Sequence, residues 1–326
     1  MTKANEKRNA KRRTLGVLSA AAAGAFVAGI PGLSLAQPRR RLRIGFQKAG
    51  ALIILKGQGT LDKRLAAQGV DVTWSEFPAG PQMLEGLNVG SIDFGVVGET
   101  PPIFAQAAGA NLVYVANHPA APRSEAIIVQ KNSPIRSVAD LKGKKVALNR
   151  GSNVHYLLVK ALEKAGLKYA DIQPAYLAPA DARAAFEQGS VDAWVIWDPY
   201  FAAAQQQLGA RILVDGTGLV SNHIFYLASR PYAEKNADVL HVVIDELAKT
   251  DAWGKRHLQD EIAILSKNTG LDPAISKIAV ERQSFGVEAI TDDILHQQQQ
   301  IADVFSDLKL IPKRININDA KLQVKL

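Results

Sequence analysis

Residues 92–102 read IDFGVVGETPP, and this local pattern is the starting point for predicting the fold. The apolar run 92–97 is typical of a short buried strand. Gly98 supplies a turn, and Thr100 stands in the N-cap position of a helix. Pro101 follows at the first helical position, where the missing N–H of proline costs nothing. The stretch therefore predicts one strand, one turn and one helix in succession.

The same alternation of apolar runs and helical patterns extends in both directions. The predicted strands of a first series are 41–46, 70–77, 92–97 and 112–116, and those of a second are 126–130, 145–148, 173–177, 191–196 and 211–214. A helical pattern with a period of about 3.6 residues follows most of these runs. Repeated strand–helix units predict parallel sheets with right-handed crossovers. Two series of similar size predict an α/β protein with two lobes and a ligand cleft between them.

The boundaries of the lobes follow from where this pattern pauses. A Pro-rich segment at 119–122 separates the two series, and the sequence from Pro231 onward is helical without a strong strand. We assign 37–120 to the first part of lobe 1, 121–229 to lobe 2, and 230–326 to a helical C-terminal part that returns to lobe 1. Within this scheme, 121–127 and 223–229 are the two crossings between lobes.

The first 36 residues have the three parts of a signal peptide. A basic segment at 11–13 precedes an apolar run over 15–35, and Ser34-Leu35-Ala36 forms a small-x-small cleavage site after Ala36. The Arg12-Arg13 pair favours the twin-arginine export route, with an ordinary cationic segment as the alternative. An uncleaved membrane anchor is a further alternative, but the run is rich in Ala and Gly and is interrupted by Pro31, so it is weakly hydrophobic.

Composition narrows the class of protein. The chain has no Cys, which excludes disulfides and a lipid-modified Cys, so the mature protein is expected to be soluble in a Gram-negative periplasm. The leader carries six Lys and Arg against one Glu, and so supplies five of the eight net positive charges. The rest of the sequence lacks the clustered basic, aromatic-interleaved pattern of a nucleic-acid binder. Apolar residues make up 47% of the chain, enough for two cores.

Four strand-to-helix turns begin their helices in a similar way. They are centred on Gly80-Pro81, Thr100-Pro101, Ser152-Asn153 and Asp198-Pro199. In open α/β sheets such turns lie at the carboxyl ends of the strands, where ligands bind. Helix N-termini present unpaired N–H groups and partial positive charge, which favour a small anion. Each turn alone could be an ordinary cap, but four of them in two lobes indicate an anion site in the cleft.

The sequence lacks the motifs of the common enzyme classes. It has no Gly-x-Ser-x-Gly, no Walker Gly-x-x-x-x-Gly-Lys, no Cys nucleophile and no His-Glu-x-x-His. The six His residues are scattered without metal-ligand spacing. We therefore expect a binding protein with no metal, no cofactor and no catalytic residues.

Several longer motifs resemble those of a known family. They are GFQK at 45–48, WSEFPAGPQ at 74–82, DFG at 93–95, GETPP at 98–102, Asn149 with GSN at 151–153, VDAW at 191–194 and WDPY at 197–200. From Leu42 to about Leu208 the chain closely resembles the aliphatic sulfonate-binding proteins of bacterial ABC importers, within the nitrate, taurine and sulfonate binding family. Glu99 and Arg150 depart from the expected Asp and Lys, which bears on ligand size rather than on the fold.

The resemblance implies the type II periplasmic-binding-protein fold, a monomer, and delivery of the ligand to an inner-membrane ABC permease for sulfur acquisition. The implied ligand-binding residues are Gln47, Ala51, Gly80, Gln82, Thr100, Ser152, Asn153, Trp197 and Asp198. The two Gln side chains would donate N–H bonds to the sulfonate, Ala51 and Gly80 would add backbone N–H groups, and the Thr and Ser would add hydroxyls. Trp197 would cover the alkyl part, whereas Trp194 is expected in the core.

Two alternatives stay open from the sequence. Taurine, nitrate or another small anion could be the ligand of the same cleft. An enzyme of pyrimidine synthesis on the same fold is the alternative from another class, and it would need cysteines that this chain lacks.

Overall fold

The computed structural model describes residues 39–322. The predicted signal peptide lies outside these residues. The strands are β1 Arg40–Phe46, β2 Val70–Glu76, β3 Phe94–Gly98, β4 Leu112–His118, β5 Glu125–Val129, β6 Lys145–Leu148, β7 Gln173–Tyr176, β8 Ala193–Trp197, β9 Arg211–Asp215, β10 Ile224–Ser229 and β11 Glu288–Ala289. The helices are α1 Gly50–Gln58, α2 Thr60–Ala66, α3 Gly80–Asn88, α4 Pro101–Ala107, α5 Asn153–Lys164, α6 Pro179–Glu187, α7 Tyr200–Leu208, α8 Arg230–Lys235, α9 Ala237–Arg256, α10 Leu258–Thr269, α11 Pro273–Arg282 and α12 Asp292–Asp307.

The strands form two sheets, one in each lobe of the predicted α/β fold. The first has six strands in the order β11-β4-β10-β3-β1-β2, and the second has five in the order β7-β6-β8-β5-β9. Both sheets are mixed, because β10 runs antiparallel to β3 and β4, and β5 runs antiparallel to β8 and β9. The expected parallel pairing is found for β1 with β2 and β3 and for β6 with β7 and β8, whereas the antiparallel pairing of β5 and β10 was not predicted. In each lobe a strand that follows a crossing from the other lobe enters its sheet in the reverse direction.

The elements differ from the expected pattern at three further places. Residues 223–229 were expected to be a crossing, but Ile224–Ser229 is β10 in the first sheet. The helical pattern expected from Pro231 onward is interrupted at Asn236, which has φ −135° and ψ 40° and separates α8 from α9. A short strand, β11, also pairs with β4 in the C-terminal part.

Helices cover both faces of each sheet. In the first sheet, one face packs under α1, α2, α9 and α10, and the other packs under α3, α4 and α12. In the second sheet, α5 covers one face and α6 with α7 covers the other. Strands buried on both faces are continuous apolar runs, which is why residues 94–98 and 126–129 show no polar alternation.

The C-terminal helices do not all return to the first lobe. Helix α11 packs against α10 but also against α7 of the second lobe, where Ile275 contacts Ala202 and Ala203. Within residues 39–322 no helix is both long and apolar enough to cross a membrane.

Candidate ligand-binding site

A cavity of about 130 Å³ lies where the two sheets and the C-terminal helices meet. Its lining includes seven of the nine candidate residues: Gln47, Ala51, Gly80, Ser152, Asn153, Trp197 and Asp198. Two candidates, Gln82 and Thr100, are not part of the lining. Thr100 is fully buried, and its hydroxyl has no hydrogen-bond partner among the described residues.

Three helices begin at this cavity without a side-chain cap. They are α1, whose Gly50 and Ala51 line the cavity, α3 with Gly80, and α5 with Asn153. No side chain accepts a hydrogen bond from the first-turn N–H groups as a cap in any of the three. Uncapped helix starts leave backbone donors and partial positive charge for a ligand. The three helix starts therefore offer uncharged backbone donors to a negatively charged group in the cavity.

Close packing around the cavity depends on glycine at two positions, one between α3 and α4 of the first lobe and one between the two lobes. A Cβ on Gly80 would lie 2.8 Å from Pro101 Cγ, and a Cβ on Gly98 would lie 2.8 Å from Asn153 Cβ. Gly98 ends β3 of the first sheet, whereas Asn153 begins α5 of the second lobe. Any larger side chain at these positions would push the helix starts away from the cavity.

The side chains of Ser152 and Asn153 already have protein partners. Ser152 Oγ donates to the carbonyl of Asn149 at 2.7 Å. Asn153 Nδ2 donates to the Glu125 carboxylate and to Asn222 Oδ1, the latter at 3.0 Å. These bonds orient the start of α5 and leave its backbone N–H groups as the available donors. The Gln47 side-chain amide nitrogen carries two hydrogens and donates one hydrogen bond to Val96 O at 3.1 Å. Its second hydrogen is therefore available for a ligand.

Asp198 lines the cavity but is held by α7 and α11. Its Oδ1 accepts from Ala202 N at 2.9 Å, and Arg282 Nη1 lies 3.4 Å from the same carboxylate. Burial raises the pKa of Asp198 to about 6, while Arg282 and the Ala202 N–H lower it. Arg282 also stacks 4.0 Å above the centre of the Phe201 ring. The carboxylate thus caps α7 and ties it to α11.

Two carboxyl groups are buried behind the cavity. Glu99 follows β3 and Glu125 begins β5, and both are fully buried. Burial raises the pKa of Glu99 to about 7, and burial together with the nearby Glu99 raises the pKa of Glu125 well above its usual value. The backbone N–H of His223 donates to Glu99 at 3.0 Å. The two carboxyl groups lie where β3 ends and β5 begins, and sequence reasoning did not find this pair.

A second polar group on the lining was also missed. His118, Tyr226, Asp251 and Gln283 all line the cavity. His118 Nε2 lies 2.7 Å from Tyr226 Oη and 3.9 Å from Asp251 Oδ1. The signal that could have found Asp251 is its place on the apolar stripe of α9, where it follows the buried Val243 and Leu247 at four-residue intervals.

Part of the cavity lining is apolar, and the lining has no basic side chain among the described residues. Trp197 at the end of β8 is partly buried, and its ring is perpendicular to that of Tyr200. Val96, Ile224 and Leu265 add aliphatic surface to the cavity. Trp194 is 1% exposed and packs against Phe186, as expected for a core residue. Within the described part of the chain, the cavity lining contains neither Lys nor Arg.

The chain has two sheets with helices on both faces, and two crossings connect the lobes. A cavity lies at the carboxyl ends of strands. This arrangement defines the class of periplasmic-binding-protein folds. Residues 65–251 match the family described as NMT1/THI5 like. The chain is also 51% identical over 278 residues to the aliphatic sulfonates-binding protein of Escherichia coli K12, covering 85% of this chain and 86% of that one. The chain belongs to the NMT1/THI5-like family.

Solved structures agree with this assignment. The alkanesulfonate-binding protein SsuA from Xanthomonas axonopodis pv. citri, bound to MOPS, is 42% identical with a TM-score of 0.84, covering 88% of this chain and 99% of that chain. The periplasmic aliphatic sulphonate binding protein SsuA from Escherichia coli is 48% identical with a TM-score of 0.78, covering 88% and 95%. These similar proteins are binding proteins rather than enzymes, which confirms that class. They also confirm the predicted fold and the resemblance on which it was based.

Proposed function

We propose that this chain captures aliphatic sulfonates in the cavity between its lobes and delivers them to an ABC permease for sulfur acquisition. The observation that carries the proposal is the set of three uncapped helix starts at a cavity whose described lining contains no Lys or Arg. A sulfonate stays ionised at every physiological pH, so it needs donors and no proton transfer. Its alkyl part needs the apolar surface beside them.

The energies are adequate for such a ligand. A hydrogen bond to a charged group contributes about 1.5–3 kcal/mol. Three or four of them would account for a micromolar complex, roughly −8 kcal/mol, after the cost of association. Backbone N–H groups of Ala51, Gly80 and Asn153 with the Gln47 amide are the proposed donors, and Trp197 is the proposed cover for the alkyl chain.

The other predicted residues act on the ligand through neighbours in this proposal. Asp198 positions α7, and Thr100 and Gln82 lie at the starts of α4 and α3 outside the cavity lining. Ser152 fixes the turn before α5 through its bond to Asn149. Lobe 1 would comprise 37–120 and 230–326 with β10 added, with α11 also packing on α7 of lobe 2, and lobe 2 would comprise the residues between.

Periplasmic location, a monomeric state and the permease partner belong to the same proposal. The signal-peptide pattern predicts a mature N-terminus at Gln37, which mass spectrometry of periplasmic protein would test. Replacing Arg12 and Arg13 by Lys should block export if the twin-arginine route is used.

A thermal-shift panel tests the ligand class. Methanesulfonate to octanesulfonate should raise the melting temperature, because a ligand at 100 times its Kd adds roughly 2.7 kcal/mol of stability. Taurine, nitrate and sulfate complete the panel. Stabilisation by nitrate or sulfate alone would overturn the proposal.

A further inference from the structure

Asp198 lines the ligand cavity, which is an unfavourable place for a carboxylate if the ligand is an anion. Asp198 is 8% exposed, and the described part of the lining contains no Lys or Arg. Like charges repel more strongly in buried surroundings than in water, because the local dielectric is lower. An anion can therefore bind beside Asp198 only if the carboxyl is protonated or a cation neutralises it from outside the lining.

Arg282 of α11 lies against this carboxylate from outside the lining. Its Nη1 is 3.4 Å from Oδ1 and 3.4 Å from Oδ2 of Asp198. Its Nη2 donates to Gln205 Oε1, and its guanidinium carbon lies 4.0 Å from the centre of the Phe201 ring. Gln205 and Phe201 both belong to α7. A hydrogen bond and a stacking contact with α7 thus hold the planar cation beside Asp198.

The other titratable groups on the lining do not supply a positive charge. His118 and Asp251 share the cavity lining with Asp198. Burial lowers the pKa of His118, so its imidazole is neutral at neutral pH, and Asp251 can add only negative charge. Arg123 in the first crossing is exposed to solvent. Within residues 39–322, Arg282 is the one cation that forms an ion pair with Asp198.

Two titratable groups on neighbouring elements are uncharged at neutral pH. Glu125 begins β5 and pairs in the sheet with Trp197, the residue before Asp198. Burial and the nearby Glu99 raise the pKa of Glu125 well above its usual value, so its carboxyl is protonated. Burial also raises the pKa of Tyr200 at the start of α7, so its phenol stays neutral.

We propose that Arg282 is a positioning residue for anion binding: α7 holds its guanidinium beside Asp198, which neutralises the carboxylate and lets the cavity accept a sulfonate. Arg282 acts through Asp198, since it does not itself line the cavity. This inference rests on the proposed function and explains how a cavity with an acidic residue in its wall favours an anion.

Removal of Arg282 should make sulfonate binding depend on the protonation of Asp198. Burial raises the pKa of Asp198 to about 6 in the wild type, and loss of the cation in Arg282→Met raises this pKa further. A bound anion favours the protonated carboxyl, so affinity should be kept at low pH and lost as pH rises through that pKa. Calorimetry with butanesulfonate at pH 6 and pH 8.5 measures the effect, since the sulfonate stays ionised at both.

The reference protein is the double variant Arg282→Met with Asp198→Asn, which lacks the same cation but cannot ionise at position 198. Asn keeps an oxygen that can accept from Ala202 N. The single and double variants should bind butanesulfonate within about threefold of each other at pH 6, and the single variant should bind about tenfold more weakly at pH 8.5. The comparison cancels the titration of other buried carboxyl groups, because both variants contain them.

Two further variants keep the test decisive. Asp198→Asn alone leaves the Arg282 charge without its partner, so it should bind butanesulfonate about threefold or more tightly than the wild type at pH 8.5. This comparison decides the matter if Arg282→Met fails to fold. Lys277→Met removes a positive charge from an exposed pair with Glu281 on the same helix, and should change the affinity less than about twofold.

Three results would overturn the inference while the wild type still binds butanesulfonate and the proposed function stands. They are equal affinity of the single and double variants at pH 8.5, a difference between them that is the same at both pH values, and weaker binding by Asp198→Asn. If the wild type bound no alkanesulfonate, the proposed function would fail, and the inference with it.

Discussion

Glu99 and Glu125 are two buried carboxyl groups at the base of the cleft. Glu99 has one donor, the backbone N–H of His223, and its other oxygen is buried without a partner among the described residues. Glu125 accepts from the side-chain amide of Asn153, which also donates to Asn222 Oδ1. A buried carboxyl in such surroundings is stable when protonated and costly when ionised. The base of the cleft is therefore sensitive to pH.

Replacing Glu99 by Gln should stabilise the protein at high pH. The pKa of Glu99 is raised from about 4.5 to about 7, so the unfolded chain releases this proton first and the folded state loses stability as pH rises through that range. At pH 8 the variant should gain up to about 3 kcal/mol, and at pH 4 almost nothing. Urea unfolding at both pH values measures the difference.

The exposed Glu85→Gln is the matched control for Glu99→Gln, and should change stability by less than about 0.5 kcal/mol at either pH. A gain from Glu99→Gln that did not depend on pH would contradict the protonation argument.

Gly80→Ala tests the closeness of α3 to the ligand. The added Cβ would lie 2.8 Å from Pro101 Cγ and 3.1 Å from Val97 Cγ1, so the start of α3 must move. Overpacking costs about 1–3 kcal/mol, and we expect sulfonate affinity to fall about tenfold or more. Calorimetry with butanesulfonate measures it. Unchanged affinity in a folded variant would remove the Gly80 N–H from the proposed donors.

At the level of single residues, the sequence predicted the helix starts better than the polar partners. Gly80, Asn153 and Trp197 could be found because local turn motifs and a family resemblance mark them. Asp251 could have been recognised as buried from its place on the apolar stripe of α9, but its approach to the cavity depends on how α9 packs on the first sheet. The hydroxyl of Ser152 was expected to face a ligand, but it donates to Asn149 only three residues earlier.

At the level of elements, the strand–helix alternation predicted most strands of both sheets and failed where the chain changes lobes. β10 has an apolar sequence that a local pattern could identify, but its place between β3 and β4 is set by the return of the chain from the second lobe. The same non-local route makes β5 antiparallel to its neighbours. Local periodicity contains no information about direction after a crossing, so parallel sheets were predicted where mixed ones formed.

The contact of α11 with α7 rests on a buried ion pair and should be sensitive to its loss. The side chains of Arg282 and Asp198 are 14% and 6% exposed, and Arg282 also donates to Gln205. Arg282→Met leaves the Asp198 carboxylate buried without its cation, which should cost about 3 kcal/mol of unfolding free energy. The pKa of Asp198, already about 6, should rise further, so the loss should be larger at pH 8 than at pH 5.

Chemical unfolding at the two pH values measures the effect of Arg282→Met. Lys277→Met, which removes an exposed pair with Glu281 on the same helix, should cost less than about 1 kcal/mol. Adding Asp198→Asn to Arg282→Met should recover most of the loss. Equal destabilisation by the Arg282 and Lys277 variants would show that the buried ion pair contributes no more to stability than the exposed one.

At the scale of the whole molecule, the two crossings between lobes are bonded to each other. Ala121 N donates to Ser221 O at 3.0 Å, and Asn222 Nδ2 donates to Ala121 O at 2.9 Å. Asn222 holds a left-handed backbone with φ 52°. Paired segments of this kind concentrate rotation at a few residues, as expected where two lobes close around a ligand.

Closure should be visible through Trp197. The proposed donors come from both lobes, so a ligand that bridges them shifts the population toward the closed cleft by no more than its preference for that state. Of the four Trp residues, Trp197 alone lines the cavity, while Trp74 is bonded to Asp62, Trp194 is in the core and Trp253 stacks on His257. We expect a saturable fluorescence change with alkanesulfonates that Trp197→Phe largely abolishes. The affinity loss should grow with alkyl length, because each buried methylene contributes about 0.8 kcal/mol. Trp74→Phe is the control and should keep the change. An unchanged fluorescence signal in Trp197→Phe, or an equal affinity loss for alkanesulfonates of every chain length, would show that the alkyl chain does not contact Trp197.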